Sequence, residues 1–344
     1  MGQPVLPTDT YLTLPKLDLH RHLEGSLRLS TLMDIARKYN LAVPGTAYLR
    51  PLVQVQSDEE FNFRSFLSKF QTLRQFFRTP EIIARITREA IEDAAADGLL
   101  YLELRFTPVA LSIGQNFPLG DVMDWVCASA GQASQDFNLK TRLVISVNRH
   151  EPAALVEQVA GLAIDRIPQG IVGLDLAGNE ADFSPEPFVG LFTQAQKSGL
   201  HLTIHAGEWA GPESVRFAIE KMNAERVGHG VRSLEDPSTV ALARERGTCF
   251  EVCVTSNYQT GVVLKLTDHP LPAMLSAGLK AGLCTDDPSI SQITLSGEFE
   301  KAREVLGVSL SQLRQTILDA AQAAFLPEFE RLALVDRFRE SLSE

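Results

Sequence analysis

His20 and His22 stand one residue apart near the end of the run KLDLHRHLEG, residues 16–25, in a chain with seven histidines. Side chains alternate across a strand, so histidines two positions apart point to one side and can offer both imidazoles to a single ion. A hydrogen-bonded pair of core histidines would explain this motif taken alone. With His205 and Asp286 added, three imidazoles and a carboxylate make up a nitrogen and oxygen donor set that zinc favours, and room for a bound water would make the site catalytic in type. Glu208, three residues beyond His205, is placed for proton transfer beside the ion. His229, between glycines in GHG, is placed to orient the water and stabilise developing charge, the alternative being a packed strand-end histidine. Asp286 and Asp287 are adjacent and cannot both face the ion from one strand, which leaves Asp287 free to read a substrate.

These residues lie far apart in the chain, so the fold must gather them. Short β-branched runs alternate with helical patterns, and the count reaches eight: 16–20, 99–106, 141–147, 171–177, 200–206, 225–230, 248–254 and 279–285. Helical periodicity fills the intervals at 80–98, 152–165, 186–198, 212–223 and 235–246, the first closing on a glycine as helix C-termini do. Strand and helix alternating eight times predicts an α/β fold, a (β/α)8 TIM barrel, whose reactive groups sit at the C-terminal strand ends. The candidate residues obey that rule: His20, His22 and Glu24 end the first strand, and AGNE, HAGE, GHG, TSN and TDDP follow the fourth to eighth. The long segment 26–98 predicts helices over the barrel mouth, including EEFNFRSFLSKFQTLRQFF, and 296–344 predicts two or three closing helices. Residues 1–344 read as one barrel domain.

Composition narrows the function classes. A 44% hydrophobic content describes a globular chain, and no apolar run approaches the ~20 residues that cross a bilayer. The opening MGQPVLPTDTYLTLPK has neither a basic start nor an apolar block, so no secretory signal is expected and the cytoplasm is the default compartment. Cys127, Cys249, Cys253 and Cys284 form no CxxC pair and read as buried reduced thiols. A net charge of −11 argues against nucleic-acid polymers, whose binding draws on Lys and Arg, and leaves a small neutral ligand as the expected partner.

Taken together, LHRHLEGSLR, LDLAGNE, HAGEWAGPES, RVGHGV, CVTSNYQTG and CTDDP resemble, in order and spacing, the adenosine deaminases of the metal-dependent amidohydrolase group, over essentially the whole chain. The HRHL and TSNxQT forms resemble the bacterial members most. The resemblance implies one zinc per chain on His20, His22, His205 and Asp286, with Asp286, Glu208 and His229 catalytic. Glu208 would protonate N1 of the purine and His229 would orient the attacking hydroxide. On the substrate side it implies His22, Asp287 at N7, the Gly178 N–H at N3 and Glu24 at the ribose 5′-hydroxyl. Phe66, Leu67 and Phe70 match an apolar helix that covers the purine, although their spacing alone suits ordinary core. Zinc would bring bound water to a pKa of ~7, supplying hydroxide to attack C6 of adenine. Glu208 must then be near-neutral, which an enclosed site achieves by raising its pKa. Adenosine, and 2′-deoxyadenosine with it, is the expected substrate, with inosine and ammonia as products from adenosine. The P-C-x-x-C pair of the cytidine deaminases is absent. Glu24 stands where these enzymes usually carry Asp, and glutamate there is common in related adenine deaminases; Asn179, Val254 and Cys284 also depart from the usual motifs. Free adenine, or another adenine nucleoside such as aminodeoxyfutalosine, is the alternative substrate. A protein that merely bound purine or metal would have no task for Glu208 and His229.

Overall fold

The computed structural model describes residues 8–343; residues 1–7, where a leader would begin, lie outside the described residues. Eight parallel strands among the described residues neighbour one another in chain order. They are β1 (Lys16–His22), β2 (Leu99–Phe106), β3 (Lys140–Asn148), β4 (Ile171–Ala177), β5 (His201–Ala206), β6 (Arg226–His229), β7 (Cys249–Val252) and β8 (Lys280–Leu283). The ring closes past the end of β8: the Asp286 N–H donates to His20 O and the His22 N–H donates to Asp286 O, both at 2.8 Å. The barrel is nearly closed, with helices around it, as the strand rhythm predicts.

The period-2 alternation separates two environments. Leu17 and Leu19 of β1 and Leu102, Leu104 and Phe106 of β2 are buried in the apolar layer between barrel and helices. Asp18, His20, Glu103, Arg105, Asp175, Thr203, His205, Arg226 and Glu251 alternate with them and are also buried. Their partners lie across the ring: Arg226 of β6 reaches Glu103 of β2, and Arg105 of β2 reaches Glu251 of β7. The lumen is therefore a column of paired charges, and titratable groups on strands mark its lining.

Outside, the helix Pro80–Ala96 starts at Pro80 behind Thr79, whose hydroxyl accepts from the Ile82 N–H, and turns Ile82, Ile83, Ile86, Ala90, Ile91 and Ala94 inward. Three closing helices, Leu295–Glu304, Leu310–Ala323 and Glu328–Ser343, follow β8. Of the helices between β1 and β2, Phe63–Leu73 lies over the mouth, while Leu29–Lys38 packs against Pro80–Ala96 through Thr31–Glu89 and Asp34–Arg85. The mouth helix begins at Asn62, whose side chain accepts from the Ser65 N–H, and is fastened to the rim by Phe63 stacked on Trp209 at 4.9 Å between ring centres.

Three expectations needed adjustment. β1 runs to His22 rather than 20, because Arg21 and His22 stay paired with Leu104 and Arg105 of β2 while the His22 N–H bonds Asp286 O across the seam. β7 stops at Val252, since Val254–Gln259 turns helical. The helix Leu119–Asp136, rich in Gly, Ser and Ala, was not marked out by its sequence pattern, although Val122, Met123, Val126, Cys127, Ala130 and Ala133 form its buried stripe. The four cysteines are buried free thiols, as expected, and among the described residues no helix is long and apolar enough to cross a membrane.

Candidate active site

The C-terminal strand ends bring His20, His205, His229 and Asp286 together, one donor atom of each lying within 4.8 Å of the others. His22 joins this group through Nε2, 3.4 Å from Asp286 Oδ1, and overlaps a second group with His205 and Asp175. Asp286 and His229 hold φ near 61°, a left-handed backbone that L side chains rarely adopt. At Asp286 that conformation accompanies the backbone bonds closing the barrel, so a potential ligand and the ring seam are one residue.

Each imidazole is oriented from behind. His20 Nδ1 lies 2.8 Å from Glu251 Oε2, and His205 Nδ1 2.8 Å from Asp175 Oδ1. Burial pushes the Glu251 carboxyl up, but Arg105 and Arg226 outweigh it and hold the group well below the usual carboxylate range. Asp175 is likewise held low against burial by His205 and Arg105. An ionised carboxylate only accepts, so both Nδ1 atoms carry a proton, and each ring in its neutral form offers its Nε2 lone pair to the cluster. Ser256 donates to Asp286 Oδ2 at 2.6 Å, which leaves Oδ1 for the imidazoles.

Burial and Arg105 oppose a second proton on His20, but Asp286 and Glu251 outweigh them and raise the ring above its ordinary value, so the space between Nε2 and Asp286 is built to hold positive charge, a proton or a metal ion. His20 Nε2 is buried without a hydrogen-bond partner, 3.2 Å from Asp286 Oδ1 and out of line for a bond to it. A lone pair and a carboxylate oxygen facing each other in a buried site repel unless a cation lies between them. These residues fit a metal ion.

Beside the cluster opens a pocket lined by His22, Glu24, Phe66, Leu67, Phe70, Arg74, Thr107, Asn148, Gly178, His205, Glu208, Trp209, His229, Thr260, Asp286 and Asp287, among others. Every residue given a metal, catalytic or substrate role in the sequence analysis lines it except His20, which is fully buried. Glu208 Oε2 is 3.7 Å from His229 Nε2. Burial raises the Glu208 carboxyl well above its ordinary value, and the charges of Asp286 and Glu180 add to the shift. Asp287, its Oδ1 buried and unpartnered, is also raised well above the usual range, by burial and by Asp286. Glu24 accepts from the Thr107 N–H at 2.6 Å, keeps Oε2 unpartnered and is raised by burial to about 7. Phe66 and Phe70 lie 6.4 Å apart on the mouth helix with Leu67, forming the pocket's apolar side.

Several supporting residues escaped the sequence reading. Glu180 accepts from the backbone N–H groups of Gly207, Glu208, Trp209 and Ala210 at 2.7–3.0 Å, so one carboxylate holds the loop that presents Glu208. Asp175, Glu251 and Arg105 were also missed, yet each interrupts an apolar strand, and a charge within a buried strand demands a partner.

Residues 15–341 match the sequence model of the family described as Adenosine deaminase. The chain belongs to the adenosine deaminase family. An adenosine deaminase of Klebsiella pneumoniae (strain 342) is 40% identical over 328 residues, 94% of this chain and 98% of that protein. The crystal structure of adenine deaminase from Arthrobacter aurescens has a TM-score of 0.87 at 25% identity, covering 96% of this chain and 99% of that one. The apo structure of the N6-methyl-AMP deaminase from Arabidopsis thaliana gives 0.85 at 26% identity, covering 97% and 98%. The adenosine deaminase match takes in all eight strands and every candidate residue.

Proposed function

We propose that this chain deaminates adenosine, and 2′-deoxyadenosine, by hydrolysis, releasing ammonia and, from adenosine, inosine. The observation that carries the reading is a buried, unpartnered His20 Nε2 facing Asp286 Oδ1 on the floor of a pocket whose wall holds the neutral acid Glu208. His20, His22, His205 and Asp286 would hold one zinc ion, which when bound would supply hydroxide at neutral pH by bringing water to a pKa of ~7.

The chain's own residues do the rest. Glu208, kept protonated by burial and by like charge, gives its proton to N1 as the purine ring loses aromaticity at C6, so negative charge does not build on the ring. His229 directs the oxygen nucleophile and stabilises its charge. Asp287, also held protonated, can donate to N7, and the Gly178 N–H meets N3. Phe66, Leu67 and Phe70 cover the ring and exclude water. Glu24 meets the sugar hydroxyl. We place the enzyme in the cytoplasm, where buried thiols stay reduced, with small nucleosides rather than polymers as its partners.

Adenosine turnover, followed by the fall in adenosine absorbance, tests the reading. Glu208→Gln should keep metal and substrate binding and lose about 10²–10⁴-fold in kcat. Metal analysis of the purified protein should find one zinc per chain, and stripping it should abolish turnover. No adenosine turnover by zinc-loaded protein would refute the proposal. Glu24 favours a second reading, free adenine, because its unpartnered oxygen does not itself require a ribose. A higher kcat/KM for adenine than for adenosine would reverse the order.

A further inference from the structure

Behind His229, on the side away from the pocket, lies a chain of buried polar groups that the mechanism above does not use. The Leu271 backbone N–H donates to His269 Nδ1 at 3.2 Å. His269 Nε2 lies 3.2 Å from Asn257 Oδ1, and Asn257 Nδ2 lies 3.1 Å from His229 Nδ1. All three side chains are buried, Asn257 completely.

The direction of every bond in this chain is set by its far end. A backbone amide only donates, so His269 Nδ1 carries the lone pair and the neutral ring holds its proton on Nε2. That N–H needs an acceptor, which turns Asn257 Oδ1 toward His269 and its NH2 toward His229. An amide NH2 only donates, so His229 Nδ1 accepts and its proton sits on Nε2, the atom facing Glu208 and the pocket. Any reversal sets two donors against each other: flipping Asn257 points its NH2 at the His269 N–H, and changing the His269 tautomer points Nδ1–H at the Leu271 N–H. Each reversal leaves buried donors facing each other without an acceptor, so one arrangement is populated.

We propose that Asn257 and His269 are positioning residues that lock His229 in its Nε2–H tautomer, so that it enters the reaction as a hydrogen-bond donor toward the pocket oxygen. Burial brings His269 down to about 3, so the ring that starts the relay stays neutral. The idea rests on the role given to His229 above, but the tautomer can be measured without substrate, so the two readings fail separately.

The test is nitrogen NMR of zinc-loaded protein labelled with [15N]histidine at pH 7, with the His229 signals assigned from His229→Gln. In the wild type, Nε2 of both His229 and His269 should carry the proton and both Nδ1 atoms should be bare. Asn257→Asp keeps the shape and offers His229 Nδ1 an acceptor in place of a donor. It should move the His229 proton to Nδ1 and lower kcat by about 10²-fold, with KM and bound zinc unchanged. His269→Gln, whose amide can still donate to Asn257, should retain the wild-type His229 signal and most of the activity, whereas His269→Phe should not. A bare Nε2 on His229 in the wild type overturns the proposal, even should Asn257→Asp fail to fold. An unmoved His229 proton in folded Asn257→Asp overturns it as well.

Discussion

A buried histidine far from its ordinary pKa leaves a mark on stability as well as on hydrogen bonding. His269 is 3% exposed and titrates at about 3, against about 6.5 in an unfolded chain. Between those values the unfolded state binds the proton and the folded state does not. Stability from this residue is therefore full above about 6.5 and is lost as pH falls toward 3. From pH 7 to pH 5 the loss amounts to about 2 kcal/mol. His269→Gln lacks the titration, so its stability relative to the wild type should improve by about 2 kcal/mol over the same step. Urea unfolding of both proteins with metal bound, at the two pH values, measures this, and protonation of the metal-binding residues cancels because both proteins share it. A pH-independent difference would mean that His269 is not held neutral by the fold.

At the scale of strands and the loops that leave them, two glycines show how tightly the rim is built. A Cβ on Gly25 would lie 1.8 Å from Asp287 Oδ1, and one on Gly228 would lie 3.1 Å from His20 Cε1 and 3.3 Å from the His205 Cα. Neither glycine has a left-handed backbone, so the constraint is steric: a Cβ at Gly25 forces Asp287 aside, and one at Gly228 presses His20 and His205 by a few tenths of an ångström. Gly25→Ala should displace Asp287 and lower kcat/KM by tenfold or more, on the order of the 1.4 kcal/mol that one misplaced hydrogen bond carries, while metal content holds. Gly228→Ala should instead weaken metal retention, read by titrating each variant with a chelator. Equal metal loss in both variants would contradict the separation of the two roles. The strands and their reactive ends were legible because β-branched runs and terminal His, Asp and Glu are strong local signals. What was not legible lies where tertiary contact overrides local pattern. His22 belongs to β1 through its pairing with Arg105 of β2 and its bond to Asp286 at the seam, and the helix Val254–Gln259 begins inside an apolar run that reads as strand. Asp175 and Glu251 passed as strand residues because their task appears only once β4 and β7 stand behind His205 and His20.

Across the whole molecule, the charges in the lumen tie the metal cluster to the opposite end of the barrel. Glu251 joins the two ends: Oε2 meets His20 Nδ1 and Arg105, and Oε1 meets Arg226 Nε at 2.6 Å and the Thr203 hydroxyl. Arg226 continues to Glu103 Oε2 at 2.5 Å and to the carbonyl of Ala323, the last residue of the closing helix Leu310–Ala323. Phe325 completes this floor, its N–H donating to Glu103 and its ring lying 3.4 Å below the Arg226 guanidinium. Such a column is weak evidence for net stability, because desolvation offsets most of the attraction, but removing one member strands the others as buried charges. Arg226→Met fills much of the same volume and leaves Glu103 and Glu251 short of a counter-charge. It should destabilise the fold by about 3–5 kcal/mol in urea unfolding. Adding Glu103→Gln removes one stranded charge while keeping an acceptor for the Phe325 N–H, so the double variant should recover part of that loss. Because Glu251 would then rise toward protonation and grip the His20 N–H less firmly, Arg226→Met should also bind zinc more weakly, although Arg226 lies nowhere near the metal cluster's mouth. Full stability and unchanged zinc affinity in Arg226→Met would mean that the floor and the site are independent. Loss of both, with partial recovery in the double variant, is the outcome this chain of contacts requires.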